Sequence, residues 1–146
     1  MLRNRTVDDA TLNLKASGAI AASAAATVIP LIGEGLVQGD IIIDVTAMDI
    51  VGNDEMYDII AQLSPDLACT PATLVDRCAI SLGAMETKRS DCNRDDTIGR
   101  YILPFDNEYC GTIYPYVRLY TVTVGATNSI TYSARLAKRA GYSRKK

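Results

Sequence analysis

Apolar and polar residues alternate along most of the chain from residue 41 onward. Such alternation, with frequent β-branched and aromatic residues, is typical of half-buried β-strands. Four segments show it before residue 106: 41–51, 56–63, 74–86 and 98–105. Segments rich in Gly, Asn, Asp and Pro separate them, as expected of turns. With two further strands in 113–136, the pattern favours an antiparallel β-sandwich or barrel.

Two pairs of these strands are predicted to form hairpins. Strands 41–51 and 56–63 are joined by a turn, VGNDE at 51–55, whose Gly, Asn and Asp suit tight chain reversal. The strands of 113–136 are joined by GATNS at 125–129. We therefore expect each pair to lie side by side in one sheet.

Residues 1–40 have a different composition, rich in Ala, Gly, Ser and Thr. Their alanine run has helical propensity, but Ser17, Gly18 and Ser23 interrupt it and no capped amphipathic pattern appears. We expect an extended arm or edge segment here, which has little to bury alone and packs along its own domain or a neighbour. The predicted organisation is an arm at 1–40, a β-sandwich domain at 41–137 and a basic tail at 138–146.

Composition argues against an enzyme. The chain has no histidine, which excludes His-based triads, His general bases and His-ligated metals within it. Adjacent carboxylates at Asp95 and Asp96 are a weak candidate for a metal site, because their surroundings indicate a solvated loop. The four cysteines contain no C-x-x-C pair and are predicted to be buried free thiols. No cofactor, metal or catalytic residue is expected.

Charge is distributed unevenly along the chain. Residues 135–146 contain six basic and no acidic residues, whereas the rest contains nine basic and seventeen acidic residues. Such a chain can bind an acidic neighbour or copies of itself, or the tail can simply be solvated. The acidic body argues against nucleic-acid binding. The apolar stretch at 16–29 is too short, and too rich in Ala and Ser, for a membrane span.

Tyrosine is the strongest functional signal. Seven of the eight tyrosines lie beyond residue 100, and Tyr114, Tyr116, Arg118 and Tyr120 alternate along one predicted strand. Tyr and Arg are enriched in protein interfaces, although tyrosines at the rim of a core would give the same pattern. Pro115 places this strand at a sheet edge or marks the residue before the strand begins. The candidate partner-binding residues are Tyr114, Tyr116, Arg118, Tyr120, Arg135, Lys138, Arg139, Arg144, Lys145 and Lys146.

Several segments resemble the jelly-roll cement, or decoration, proteins of short-tailed bacteriophages. They are DVTAMD (44–49), GNDE (52–55), LPFDNE (103–108), YPYVRLY (114–120) and GATNSITYSARLA (125–137). The resemblance implies an antiparallel β-sandwich of jelly-roll type with an extended N-terminal arm. It also implies a non-enzymatic role on the capsid exterior, after synthesis in the host cytoplasm. The implied partners are the major capsid protein and copies of the chain itself, with a dimer favoured. The basic tail and the four cysteines depart from the family pattern.

Other functions remain open on the sequence alone. Another virion subunit, in a neck, head-completion, tail or fibre-associated position, would have the same composition. A carbohydrate-binding β-sandwich would also present aromatic faces, although the absence of Trp argues against it.

Overall fold

The computed structural model describes residues 6–7, 12–31, 35–84 and 95–139. Strands account for 64% of the structure, and none of the described residues lies in an α-helix. The predicted antiparallel, all-β sandwich is therefore confirmed at the level of its two-sheet architecture.

The described residues form twelve strands. They are β1 (Thr6–Val7), β2 (Asn13–Ile20), β3 (Ala24–Ala25), β4 (Ile29–Pro30), β5 (Gln38–Met48), β6 (Met56–Ser64), β7 (Val75–Gly83), β8 (Gly99–Asp106), β9 (Glu108–Tyr109), β10 (Thr112–Ile113), β11 (Tyr116–Val124) and β12 (Ile130–Arg139). A short 3-10 turn at Pro71–Thr73 precedes β7.

The long strands form two antiparallel sheets. In sheet 1, β12 pairs with β1 and β2 on one side and with β5 on the other, and β8 pairs with β5. In sheet 2, β11 pairs with β3 and β4 on one side and with β6 on the other, and β7 pairs with β6. The small hairpin β9–β10 stands apart from both sheets.

The order of pairing is nested along the chain. The outermost long strands, β2 and β12, pair with each other, and β3 and β4 pair with β11. Further inward, β5 pairs with β8, and β6 pairs with β7. The chain is thus folded like one long antiparallel hairpin that is wrapped so that successive pairs fall in alternate sheets.

Alternating side chains from both sheets form the core between them. In β5 of sheet 1 the buried apolar side chains are Ile41, Ile43 and Val45, and in β11 of sheet 2 they include Val117 and Leu119. Strand β6, which neighbours β11 in sheet 2, buries Tyr57, Ile59, Ala61 and Leu63. Because every second residue points to the same side of a strand, one apolar face per strand is enough to fill this layer.

Both predicted hairpins are wrong, although their strands are present. Strand β5 belongs to sheet 1 and β6 to sheet 2, and the same division separates β12 from β11. Each connection therefore crosses from one sheet to the other. The physical reason is that both members of each pair carry an apolar face, and these faces pack against each other across the core.

Two tyrosines belong to this core. Tyr132 is fully buried, and its hydroxyl lies 2.6 Å from the Thr121 hydroxyl of the opposite sheet. Tyr57 is also fully buried, and its hydroxyl accepts a hydrogen bond from the Ser129 amide at 2.9 Å and lies 2.7 Å from the Asp49 carbonyl oxygen. The Tyr57 hydroxyl thereby ties together the two inter-sheet connections.

The N-terminal segment adds strands to both sheets. After β2 pairs in sheet 1, the chain crosses to sheet 2, where β3 and β4 lie along β11. The pairing of β2 with β12 is irregular near Lys15, whose ammonium donates to the carbonyl oxygens of Gly18 and Tyr132, both at 2.9 Å. Lys15 also lies 4.4 Å from the centre of the Tyr132 ring, and burial lowers its pKa. This lysine thus fastens the N-terminal segment to the sandwich.

Candidate functional site

The outer side of β11 carries three of the four residues predicted to share a face. Tyr116, Arg118 and Tyr120 are half-buried and point away from the core, whereas Val117 and Leu119 between them are buried. Tyr116, Arg118 and Tyr120 are called the tyrosine face below. The alternation predicted that these side chains share one side of the strand. The burial of Val117 and Leu119 between them shows that it is the outer side.

A polar ladder across three strands holds the tyrosine face in place. Arg118 Nε donates to Gln62 Oε1 at 3.0 Å, and Gln62 Nε2 donates to Asp76 Oδ1 at 2.9 Å. These residues stand opposite one another in β11, β6 and β7. The Arg118 guanidinium also lies 5.9 Å from the centre of the Tyr120 ring, within the range of cation–π contacts. The arginine is therefore pre-positioned, which reduces the entropy lost when a partner binds.

Tyr114 is separated from this face. It precedes β11, which begins at Tyr116, and its side chain packs against the core cluster. Pro115 interrupts the alternation between the two tyrosines, and its carbonyl oxygen accepts a hydrogen bond from the Leu31 amide. Of the two possibilities left by Pro115, the structure shows the one in which the proline lies just before the regular strand.

Of the predicted basic residues, Arg135, Lys138 and Arg139 lie in β12 of sheet 1, away from the tyrosine face. Arg135 is on the outer side of sheet 1, where its Nη1 donates to Asp44 Oδ2 at 3.1 Å. Lys138 and Arg139 end β12 in the same sheet. Arg144, Lys145 and Lys146 lie outside the described residues. The tyrosine face and Arg135 therefore belong to opposite faces of the sandwich.

Asp44 is the centre of a charged cluster on sheet 1. Arg100 contacts both of its oxygens, at 2.7 and 3.1 Å, and Arg135 approaches from the strand on the other side. The Arg100 hydrogen bond is the main reason that the pKa of Asp44 is lowered. Both oxygens of the Asp44 carboxylate thus accept hydrogen bonds from arginine side chains.

A groove at one end of the sandwich was not predicted from the sequence. It consists of adjoining pockets of about 410 and 610 Å³ on the two sides of Tyr109, which lines both. Leu36, Cys110 and Arg77 line the smaller pocket, and Leu74 and Val75 line the larger. The groove also includes Gln62 and Asp76 of the polar ladder, so it is continuous with the surroundings of the tyrosine face.

The hairpin β9–β10 forms one wall of this groove. Its two-residue turn, Cys110-Gly111, has φ values of 49° and 79°, as a type I′ turn requires. Asn107 anchors the hairpin because its side chain accepts from the Val37 amide at 2.7 Å and donates to the carbonyl oxygens of Gly35 and Tyr114. The signal present in the sequence is Gly111, because a type I′ turn favours glycine at its second central position.

An ion pair links the two sheets beside the groove. The Arg77 guanidinium, on β7, makes two hydrogen bonds to Asp106, on β8, at 3.0 and 2.7 Å. The hydrogen bond from Arg77 is the main cause of the lowered pKa of Asp106. Because β7 and β8 are the last strands of their sheets on this side, the pair fastens the two edges together.

Asp106→Asn is expected to reduce the acid sensitivity of the fold. A lowered folded-state pKa stabilises the fold above the unfolded value of 3.8, and this contribution disappears as pH falls below it. The free energy of unfolding of the wild-type chain should therefore exceed that of the variant by about 1 kcal/mol at pH 6, a value that allows for the partial exposure of the ion pair. At pH 2.5 the difference should be much smaller. Urea unfolding at both pH values measures this, and an equal difference at both would contradict it.

The described cysteines are free and differ in exposure. Cys69 is buried, as predicted. Cys78 is half-buried, and burial raises its pKa to about 11. The prediction of buried thiols is wrong for Cys110, which is exposed because the two-residue turn places it at the hairpin tip. Cys92 lies outside the described residues.

The described part of the chain contains no group of three or more His, Cys, Asp or Glu side chains placed to hold a metal ion. Asp96, one of the two adjacent carboxylates, accepts a hydrogen bond from the Gly83 amide at 3.1 Å. No helix among the described residues is both long and apolar enough to span a membrane.

Comparison with known proteins gives no match: no family model, no curated protein and no solved structure is significantly similar to the chain.

Proposed function

We propose that this chain is a non-enzymatic structural protein of a bacteriophage particle, a cement protein that binds the outside of the capsid shell and stabilises it. The observation that carries the proposal is the tyrosine face. Its two tyrosines and one arginine stand half-buried on the outer side of a sheet, and the arginine is held by a hydrogen bond to Gln62 of the neighbouring strand. The segments that resemble phage cement proteins include this strand.

We assign the sandwich to the jelly-roll type. A jelly roll places eight strands in two sheets, and such domains are common in viral capsids. The nested pairing supports the assignment if β3 and β4 are counted as one interrupted strand. The pairs β2–β12, β3/β4–β11, β5–β8 and β6–β7 then alternate between the sheets in the order that such a fold requires.

The chemistry of the tyrosine face suits a protein partner. Tyr provides a large apolar ring and a polar tip at a low cost in conformational entropy, and Tyr and Arg dominate binding hot spots. Arg118 is already bound to Gln62, so docking need not desolvate an isolated charge. The partner proposed for this face is the major capsid protein.

The basic residues supply a second, weaker contact in this proposal. Lys138 and Arg139 end β12, and Arg144, Lys145 and Lys146 follow them in the sequence. Their charge would attach the chain to acidic surfaces of neighbouring subunits, including other copies of itself, with a dimer as the proposed unit. Many copies bound at several points would hold the shell together through multivalent attachment. No cofactor takes part in this role.

The double variant Tyr116→Ala/Tyr120→Ala tests the proposed face. We expect it to fold normally and to bind purified shells that lack this protein at least tenfold more weakly, since interface tyrosines are often hot spots. Co-sedimentation with shells over a range of protein concentrations measures the affinity.

Ile102→Ala is the matched control for this experiment. Ile102 is an exposed apolar residue, 60% accessible, on the outer side of sheet 1. The Ile102→Ala substitution should leave binding to the shells unchanged. Equal binding by the wild-type chain and the double variant would reject the tyrosine face as the contact surface.

A further inference from the structure

We infer that the groove beside Tyr109 is a docking site for residues 140–146 of the same chain. The inference concerns the free protein and is independent of the proposed function. It rests on three features: where β12 ends, the length of the chain beyond it, and the charge of the groove.

Strand β12 ends beside the groove. Lys138 pairs with Gly39 of β5, and Gly39 pairs with Phe105 of β8. Gly39 and Phe105 both line a pocket that also includes Arg77 and Asp106. Neighbouring strands lie about 4.8 Å apart, so the end of β12 stands about 10 Å from the β8 wall of the groove.

The chain beyond Arg139 is long enough to cross this distance. Residues 140–146 follow the last described residue. Seven residues span up to about 23 Å when extended, roughly twice the distance across the two strands. A segment tethered so close has an effective concentration in the millimolar range, which favours its own groove over that of another copy.

The groove and the segment have opposite charge. Asp76, Asp106 and Glu108 line the groove, and among the described residues Arg77 is its one basic lining side chain. Arg77 is already bound to Asp106 through two hydrogen bonds, and the side chain of Glu108 is exposed at the rim. Residues 140–146 carry Arg144, Lys145 and Lys146 with no acidic residue. Leu36 and Tyr109, each 44% accessible, add apolar surface that Tyr142 would suit.

Docking has a consequence for binding. While the segment occupies its own groove, its three basic residues are engaged and the surface around Tyr109 is covered. Any partner that uses either the groove or the segment must first separate them, and added salt promotes that separation because it screens the charges.

The exposed thiol of Cys110, at the groove rim, allows a direct test. In full-length protein carrying Cys92→Ser and Ser143→Cys, a short bis-maleimide should link residues 110 and 143 within one chain. The matched variant adds Arg144→Glu, Lys145→Glu and Lys146→Glu, which keeps the tether length but reverses its charge. We expect the link to form about tenfold more slowly in that variant, since three surface charge contacts are lost. Peptide mapping identifies the link, and gel mobility shows whether it joins one chain or two.

Two further measurements support or overturn the inference. Glu108→Lys should slow the link, and removal of residues 140–146 from the Cys92→Ser chain should make Cys110 react several-fold faster with a single maleimide. Equal rates for the natural and reversed tails would show that the segment passes the groove without docking. A link that joins two chains would assign the groove to a second copy and overturn docking within one chain.

Discussion

Tyr132→Ala is expected to lower the free energy of unfolding by about 4 kcal/mol, within the range for truncating a buried aromatic side chain. The Tyr132 ring is fully buried between the sheets, its hydroxyl is bonded to Thr121, and Lys15 packs on the ring. Alanine would leave a cavity and an unpaired hydroxyl at Thr121. Chemical denaturation followed by circular dichroism measures the loss.

Tyr120→Ala is the matched comparison. Its side chain is half-buried on the outer side of β11, so the loss should stay below about 1 kcal/mol. Tyr132→Phe, which keeps the ring and removes only the hydroxyl, should cost about 1 to 2 kcal/mol. Similar losses for Tyr120→Ala and Tyr132→Ala would mean that the tyrosine face is part of the stabilising core and would weaken its assignment as an interface.

Asn107→Ala is expected to lower the free energy of unfolding by about 3 kcal/mol, because buried polar groups that lose their partner cost about 1 to 3 kcal/mol each. The buried Asn107 side chain bonds to Val37, Gly35 and Tyr114 at 2.7, 2.9 and 3.0 Å. Its loss would leave one amide and two carbonyl groups unpaired where the groove wall meets the core. Thermal or urea unfolding gives the value.

Asn128→Ala is the control for this substitution. Asn128 donates a single side-chain hydrogen bond, to the Gly125 carbonyl oxygen, within one connection. Its replacement should cost less than about 1 kcal/mol. If Asn107→Ala were equally mild, the hairpin β9–β10 would not depend on the asparagine, and the geometry of the groove would have to be held by other contacts.

The alternation of apolar and polar residues predicted where the strands lie but not which strands pair with each other. The predicted strand at 56–63 corresponds to Met56–Ser64 and that at 98–105 to Gly99–Asp106, because alternation is a property of the strand itself. Pairing depends on whether the connection between two strands keeps them in one sheet or crosses to the other sheet. The turn-forming residues at 51–55 suit a hairpin and a crossing between sheets equally well, and only the packing of Ile43 and Ile59 into one core decides between them.

For the candidate surfaces, too, the sequence pattern predicted which neighbouring residues share a side of a strand but not which distant residues come together. Alternation placed Tyr116, Arg118 and Tyr120 together, and the structure adds that they point outward. Tyr114 has the correct spacing, but Pro115 breaks the register and Tyr114 packs on the core. The groove depends on Arg77, Asp106 and Tyr109, which are distant in sequence or belong to different sheets, so no local pattern brings them together.

The N-terminal segment pairs with both sheets, and its composition alone did not specify this pairing. Its many small residues indicated an extended segment with little to bury alone, which would pack along its own domain or a neighbour. Leu12 and Leu14 are nevertheless buried, and β2 pairs with β12 over much of its length. Two leucines among small and polar residues give no periodic signal, yet they are enough to place the segment on the core.

The most direct test of the proposed role is cryo-electron microscopy of the virus particles produced from the genome that encodes this chain, with subunit counting by quantitative mass spectrometry. The cement-protein account predicts density for the sandwich on the outer surface, in a fixed ratio to the major capsid protein, with Tyr116 and Tyr120 at the contact. Absence of the chain from the particle, or its confinement to a single ring at the neck or tail, would contradict the account.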